Sequence, residues 1–241
     1  MCAFELIRFA QPDALARAAA AEWLKSLQPA TRTGAPYCVA LLGGRIAGRF
    51  YSALTKLAKT SQAFASVHFF WGDERCVPPT EPESNFALAH ERLLQPLGIP
   101  DRQVHRVRGE APPEQAAAEA ETELRGLAST MPDSQPVLDL VLLGMGEDGH
   151  VASLFPGEDE AVMASQVVFR PVVAPKPPPA RVTLGYPAIA AAREVWVLAS
   201  GAGKENALRE SFSPNGRTPL ARVLNLRHRT RIFTDIFSVP T

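Results

Sequence analysis

The chain alternates between two patterns of apolar residues. Continuous apolar runs are typical of strands buried on both faces of a parallel sheet, and the clearest such signals lie at residues 37–42 and 137–143. Further strands are predicted at residues 65–71, 167–173, 194–199 and 230–237. The segments between them have the spacing or composition of helices that pack one face on a sheet, at residues 13–27, 45–59, 85–94, 113–128, 186–192 and 204–212. This order predicts an α/β fold with a doubly wound, mostly parallel sheet flanked by helices (Rossmann-like), formed by residues 1–241 as a single domain.

Composition narrows the classes of function. The 241 residues include 25 Lys and Arg and 25 Asp and Glu, so the formal net charge is zero. General nucleic-acid binding needs clustered Lys and Arg that neutralise phosphates, so it is not predicted, whereas a local basic pocket for a small anion is compatible with this charge. No apolar run reaches the roughly 18 residues of a membrane-spanning helix.

The cysteines and the start of the chain bear on location. Glu5 lies where a signal peptide would need an apolar stretch. Cys2, Cys38 and Cys76 are odd in number and far apart, and they match neither a disulfide framework nor a zinc-binding pattern. These features predict a cytoplasmic protein.

The ends of the predicted strands carry the candidate chemistry. In doubly wound sheets, ligands bind outside the carboxyl ends of the strands. Glycines there let the backbone approach a ligand, and the following helix offers free N–H groups to an anion. Four strand ends in this chain combine glycines with polar residues, at residues 43–45, 72–75, 144–150 and 201–204.

Two common nucleotide motifs are not supported. No phosphate-binding loop of the form Gly-x-x-x-x-Gly-Lys-Ser/Thr is found. The spacing of Gly144, Gly146 and Gly149 fits a dinucleotide fingerprint, but no acidic residue ends a second strand about 20 residues later. The glycines are therefore better explained by a tight turn that presents the residues beside them.

His150 is the candidate reactive group. It ends the glycine turn at residues 144–149, and a neutral imidazole can accept a proton from water. The alternative is a capping or structural histidine. Asp148 can orient a catalytic group or cap the turn. The five histidines show no metal-ligand spacing, so no metal or other cofactor is predicted.

Arg75 and Lys204 are candidate anion-binding residues. Each follows a glycine-containing strand end, and an Arg offers a fork of donors that matches phosphate, whereas a Lys offers a point charge. Alternatively, Arg75 pairs with Asp73, Glu74 or Glu83, and Lys204 is an exposed lysine. The arginine-rich residues 222–231 are interpreted as a charged face.

Four motifs together resemble one family. Residues 144–157 read Gly-Met-Gly-Glu-Asp-Gly-His-Val-Ala-Ser-Leu-Phe-Pro-Gly. The other motifs are Gly72-Asp-Glu-Arg75 with Glu83-Ser-Asn85, then Pro179-Ala-Arg-Val-Thr-Leu184, and Gly201-Ala-Gly-Lys204. In the order and spacing of these motifs over residues 37–223, the chain resembles the 6-phosphogluconolactonases. The resemblance implies hydrolysis, without a metal, of 6-phospho-D-glucono-1,5-lactone to 6-phosphogluconate in the oxidative pentose phosphate pathway.

Related proteins of the same fold group leave two alternatives. Glucosamine-6-phosphate deaminases share the Asp-Gly-His element but usually continue with Phe-Asn-Glu-Pro, where this chain has Ser153-Leu-Phe-Pro156. That difference favours the lactonase over a sugar-phosphate isomerase or deaminase. The first glycine loop, Leu42-Gly-Gly-Arg45, lacks the hydroxyl residue usual in the family. A sugar-phosphate-binding protein without catalysis is the second alternative.

The chemistry of lactone hydrolysis predicts roles for individual residues, and the resemblance agrees on the role of the histidine. His150 is the general base on the attacking water, and Asp148 fixes its ring. Arg75 and Lys204 hold the phosphate together with the N–H groups of Gly43, Gly44 and Arg45. The oxyanion is met either by N–H groups of residues 144–149 or by Arg181. The full set of predicted substrate-binding residues is Gly43, Gly44, Arg45, Asp73, Arg75, Asn85, Gly146, Gly149, Arg181 and Lys204. The predicted partner is a phosphorylated sugar lactone, with no nucleic acid and no membrane, and the protein is expected to be a monomer or small homo-oligomer.

Overall fold

The computed structural model describes residues 4–58, 60–129 and 134–237. Cys2 and Lys59 therefore lie outside the described residues. The strands in this part of the chain are β1 (Phe4–Arg8), β2 (Tyr37–Leu41), β3 (Val67–Trp71), β4 (Asp73–Arg75), β5 (Leu140–Gly144), β6 (Phe169–Val173), β7 (Ala180–Leu184), β8 (Glu194–Ala199) and β9 (Thr230–Thr234). The helices are α1 (Pro12–Thr33), α2 (Arg45–Ala58), α3 (Asn85–Ala89), α4 (Gln95–Leu97), α5 (Pro113–Leu127), α6 (Glu160–Met163), α7 (Tyr186–Ala191), α8 (Glu205–Ser211) and α9 (Pro219–Asn225).

Six of the strands form one parallel sheet in the order β1-β9-β8-β5-β2-β3. Its two faces are covered by separate apolar clusters. In β5, for example, Val141 and Leu143 pack into one cluster, whereas Leu140 and Leu142 pack into the other. Burial on both faces explains why these strands appear in the sequence as continuous apolar runs. The predicted doubly wound, mostly parallel α/β fold is confirmed.

The chain reverses its direction of winding between β2 and β5. From β2 it moves outward to β3 at one edge, and from β5 it moves through β8 to β9 on the other side. The carboxyl ends of β2 and β5 therefore lie at a topological switch point, where doubly wound sheets open a crevice for ligands. A Cβ atom added to Gly144 at the end of β5 would lie 3.6 Å from the carbonyl oxygen of Gly43 after β2, so the two strand ends lie close together.

A second, three-stranded antiparallel sheet stands at this end of the parallel sheet, in the order β4-β7-β6. Gly72 joins the two sheets, because its N–H donates to the carbonyl of Leu41 in β2 and its carbonyl accepts from Leu184 in β7. The sequence analysis assigned a strand near β6 but did not predict β4 and β7, nor the separate sheet that they form.

Several predicted boundaries need correction. β5 begins at Leu140 rather than residue 137, β9 ends at Thr234 rather than residue 237, and α1 continues beyond residue 27. The helix predicted at residues 85–94 includes a π-helical turn and continues through α4 until Gly98, whose φ of 63° is left-handed. β1, α6 and α9 were not predicted. No helix in the described part of the chain is long and apolar enough to cross a membrane.

Candidate active site

A cavity of about 270 Å³ opens at the switch point, between the carboxyl ends of the parallel strands and the edge of the antiparallel sheet. Its walls include most of the predicted site residues, namely Gly43, Gly44, Arg45, Asp73, Arg75, Asn85, His150, Arg181 and Lys204. The other three, Gly146, Asp148 and Gly149, are not part of the wall. They belong to the turn that presents His150.

Hydrogen bonds within that turn fix the imidazole of His150. The Nδ1 atom lies 2.5 Å from Oδ1 of Asp148, and the same oxygen accepts from the backbone N–H of His150 at 3.2 Å. If the Asp148 carboxylate accepts the Nδ1 proton, Nε2 carries the lone pair that can take a proton from water. Glycine is required beside the ring, because a Cβ atom added to Gly146 would lie 2.0 Å from Nδ1.

Two backbone N–H groups of the turn already have partners. Gly146 donates to the carbonyl of His150 at 2.9 Å, and Gly149 donates to the carbonyl of Gly146 at 3.1 Å. Gly149 adopts a φ of 79°, which favours glycine. These bonds stabilise the turn, but they leave Gly146 and Gly149 without a free N–H group for a substrate.

A lysine contacts the other side of Asp148. The Nζ atom of Lys176 lies 3.7 Å from Oδ2, while Oδ1 faces His150. Burial raises the pKa of Asp148, but the hydrogen bonds and charge of His150, aided by Lys176, outweigh it and lower the pKa below its usual value. Asp148 therefore favours its carboxylate form, and this carboxylate holds the imidazole of His150 in one orientation. Lys176 lies in the Pro-rich loop at residues 175–179 and was not among the predicted site residues.

The first glycine loop leads directly into α2. In the described structure the N–H groups of Gly43, Gly44 and Arg45 donate to no other protein group, and they sit at the N-terminus of a 14-residue helix. Gly44 has a φ of 83°, and a Cβ atom added there would meet nothing within 4 Å. The loop therefore offers open space and free backbone donors to an anion.

Lys204 lies close to this loop. Burial lowers the pKa of Lys204, and the charge of Arg45 lowers it further, against smaller opposing effects of Glu147 and Asp235. Lys204 is thus half-buried beside another cation rather than freely exposed, so the alternative of an exposed lysine is wrong. Together with the N–H groups of residues 43–45, the two side chains make this wall electropositive.

Arg75 and Arg181 form a second pair of cations on the antiparallel sheet. They are directly opposite each other in the register of β4 and β7. Burial lowers the pKa of Arg181, the charge of Arg75 lowers it further, and Asp73 opposes the effect. In the described part of the chain no carboxylate lies within ion-pair distance of Arg75, whose Nη1 instead donates to the backbone carbonyl of Glu83. The alternative of an Arg75 ion pair is therefore not supported.

Buried hydrogen bonds hold this second wall in place. Ser153, which has no exposed surface, donates to Oδ2 of Asp73 at 2.6 Å. Asn85 donates to the carbonyl of Asp73 at 2.8 Å and fills the space beside Gly43. Glu74 accepts from the backbone N–H groups at the start of α3, so it supports the helix rather than the cavity. Asp73 and Asn85 therefore line the cavity and also make hydrogen bonds within the protein.

The remaining candidates of the sequence analysis lie elsewhere. His68 is 3.0 Å from His105, on the edge strand β3, and neither lines the cavity. The arginine-rich segment 222–231 begins inside α9, and its arginines at positions 222, 229 and 231 pair with acidic side chains. Within the described residues, no three His, Cys, Asp or Glu side chains are grouped so as to hold a metal ion.

Comparison with known proteins identifies the family. Residues 10–233 match the model of the family described as glucosamine-6-phosphate isomerases/6-phosphogluconolactonase. The chain belongs to this family. The resemblance inferred from the four motifs is thereby confirmed.

Curated members of the family named 6-phosphogluconolactonase are similar over most of their length. The protein from Mycobacterium tuberculosis is 35% identical over 206 residues, which cover 83% of this chain and 82% of that protein. The one from Streptomyces coelicolor is 34% identical over 221 residues, covering 88% and 84% of the two chains. Among solved structures, 6-phosphogluconolactonase from Trypanosoma brucei has a TM-score of 0.86 and 29% identity, covering 97% of each chain.

Proposed function

We propose that this chain hydrolyses 6-phospho-D-glucono-1,5-lactone to 6-phosphogluconate in the oxidative pentose phosphate pathway. The observation that carries the proposal is His150, oriented by Asp148, at the wall of a cavity that five cationic side chains also line. A lactone needs a base for the attacking water, and a phosphorylated lactone needs cations to hold it. The proposal is supported by relatives of the same family that carry the name 6-phosphogluconolactonase.

His150 acts as the general base. Water adds its oxygen to C1 of the lactone and gives a proton to Nε2, and the bond between C1 and the ring oxygen then breaks. The proton on the imidazole passes to the ring oxygen, and the new carboxylic acid releases its own proton to solvent. Asp148 keeps Nδ1 protonated and the ring oriented throughout.

The phosphate binds at the wall made by the first glycine loop. The free N–H groups of Gly43, Gly44 and Arg45 supply backbone donors, and Lys204 and the Arg45 side chain supply charge. This arrangement needs no hydroxyl residue before the glycines, which is the position occupied here by Leu42. Binding energy from the phosphate then positions C1 near His150.

The proposal also covers the partners, the location and the oligomeric state of the protein. The substrate is a small, soluble anion, and the zero net charge gives no support to a nucleic-acid partner. We therefore expect a cytoplasmic enzyme that works as a monomer or a small homo-oligomer.

Parallel assays with purified protein separate the proposal from its alternatives. Loss of 6-phosphogluconolactone is followed after subtraction of spontaneous hydrolysis, and ammonia release is followed with glucosamine 6-phosphate. We expect accelerated lactone loss and no ammonia. Ammonia release would identify a deaminase, and binding of 6-phosphogluconate without faster lactone loss would identify a sugar-phosphate-binding protein.

A further inference from the structure

Two arginines on the antiparallel sheet line the cavity, and neither has an ion-pair partner among the described residues. Arg75 and Arg181 are cross-strand partners in β4 and β7, and like charges directly opposite each other destabilise a sheet. Both oxygens of the nearest carboxylate, Asp73, are within hydrogen-bond distance of Ser153 and Asn85. A pair of this kind favours binding of an anionic group between the guanidinium groups, since an anion would offset the repulsion.

Both arginines have N–H groups to offer. Arg181 uses three of its five N–H groups, donating to the carbonyls of Pro178 and Lys176 and to Oγ of Ser153. One N–H group therefore remains on each terminal nitrogen. The Nε atom of Arg75 is buried and has no partner in the described structure.

This pair lies next to the reacting end of the site. The rings of His150 and Phe155 are 5.0 Å apart, and the guanidinium of Arg181 lies 5.6 Å from the same Phe155 ring. Arg181 also donates to the backbone carbonyl of Lys176, whose side chain contacts the Asp148 carboxylate. Lys204, in contrast, has Arg45 as its cationic neighbour and lies after β8 on the parallel sheet.

We propose that Arg75 and Arg181 form the site for the carbonyl oxygen of the lactone and, after hydrolysis, for the carboxylate of the product. When water adds to C1, the carbonyl electrons move to this oxygen, and the two guanidinium groups meet the negative charge. Gly146 and Gly149 are not the donors, because their N–H groups are already bonded within the turn. This inference rests on the proposed function, and it separates Arg75 from the phosphate to which the sequence analysis assigned it.

Two ligands test the assignment by binding alone. The ligands 6-phosphogluconate and glucose 6-phosphate both carry the phosphate, but only the first has a carboxylate at C1. For Arg75→Met and Arg181→Lys we expect the Kd of 6-phosphogluconate to rise about 10- to 150-fold, and that of glucose 6-phosphate to change less than about threefold. Lys204→Met should weaken both ligands. Equal weakening of both ligands by Arg75→Met would place Arg75 at the phosphate and overturn the inference.

Kinetics provide the second readout. Loss of an oxyanion donor should lower kcat for the phosphorylated lactone by about 10- to 1,000-fold in Arg75→Met. Arg181 also anchors a loop, so the decisive variant is Arg75→Met, checked by thermal unfolding. Arg106→Met is the matched control, because Arg106 pairs with Glu110 outside the cavity.

The two proposals fail in different ways. If the wild-type protein does not accelerate lactone loss, the proposed function itself is wrong. If the wild-type protein is active and Arg75→Met keeps its kcat, only the assignment of the arginine pair is wrong.

Discussion

The two walls of the cavity present their donors in different ways. The wall on the parallel sheet uses backbone N–H groups at residues 43–45 and a lysine that no hydrogen bond holds in the described structure. The wall on the antiparallel sheet uses side chains tied together by buried hydrogen bonds, in which Ser153 joins Asp73 to Arg181. Changes to the first wall should therefore affect ligand binding with little loss of stability, whereas changes to the second should affect both.

The largest effect is expected at His150, which lies between the walls. His150→Gln removes the proton acceptor while retaining a side chain that can bond to Asp148. We expect kcat to fall about 10²- to 10⁴-fold, with 6-phosphogluconate still bound. Steady-state kinetics and calorimetry measure the two quantities. An activity within about threefold of wild type would show that another group activates the water.

Lys204→Met tests the first wall. Loss of a charge-assisted hydrogen bond should lower kcat/KM for the phosphorylated lactone by about 10- to 150-fold, and leave kcat/KM for plain gluconolactone nearly unchanged. Because burial and Arg45 disfavour the charged lysine, the variant should also have a higher Tm than the wild type without ligand. A lower Tm together with an unchanged preference between the two lactones would contradict this description of the wall.

The stabilising effect of Lys204→Met should depend on pH. The pKa of Lys204 is lowered in the folded protein from its ordinary value of 10.5, so at pH values below the lowered pKa the unfavourable charge is present. As pH rises from the lowered pKa towards 10.5, the folded state loses its proton before the unfolded state does, and wild-type stability increases. The difference in unfolding free energy between variant and wild type should therefore shrink over this window. If the difference in unfolding free energy stays constant across that window, the surroundings do not disfavour the charged form of Lys204.

Ser153→Ala tests the second wall. It removes a fully buried donor to the Asp73 carboxylate, and a hydrogen bond to a charged group contributes about 1.5–3 kcal/mol. Urea unfolding should show a loss of that size. Thr122→Ala is the control, since this hydroxyl bonds to its own helix on an exposed surface and should change stability by less than about 0.5 kcal/mol. Equal losses in the two variants would show that this buried hydrogen bond does not stabilise the second wall.

The smallest effect is expected at Lys176. Its side chain is 57% exposed, and an exposed ion pair is worth about 0.2–1 kcal/mol, so Lys176→Gln should lower kcat no more than about fivefold. Removing this cation should also move the acid limb of the pH–rate profile to higher pH, because a protonated imidazole beside Asp148 becomes easier to form. Lys176→Arg should restore the wild-type profile, and the exposed Lys25→Gln should not alter it. An unshifted profile in Lys176→Gln would show that this lysine does not act on the base.

The parallel sheet could be predicted from sequence because burial on both faces leaves a continuous apolar run. β5, with Leu-Val-Leu-Leu-Gly at residues 140–144, is the clearest case. β1 is an edge strand whose Glu5 and Arg8 are exposed, so its run is interrupted. β4 is only Asp-Glu-Arg, and three polar residues carry no strand signal. The second sheet was missed for that reason.

The candidate site likewise contains some residues that could be predicted from sequence and others that could not. His150 and Lys204 could be found because glycine turns at strand ends are local patterns in the sequence. Lys176 could not, because its contact with Asp148 joins residues 28 positions apart and exists only once the Pro-rich loop has folded over the turn. The pairing of Arg75 with Arg181 likewise depends on the register between β4 and β7.

The orientation of the bound sugar tests the whole account most directly. A crystal structure of His150→Gln with 6-phosphogluconate would locate both anionic groups of the ligand. The account predicts the phosphate within hydrogen-bond distance of the N–H groups of Gly43–Arg45 and of Lys204. It places the carboxylate between Arg75 and Arg181, beside residue 150. The reverse orientation, with the phosphate between the two arginines, would contradict it.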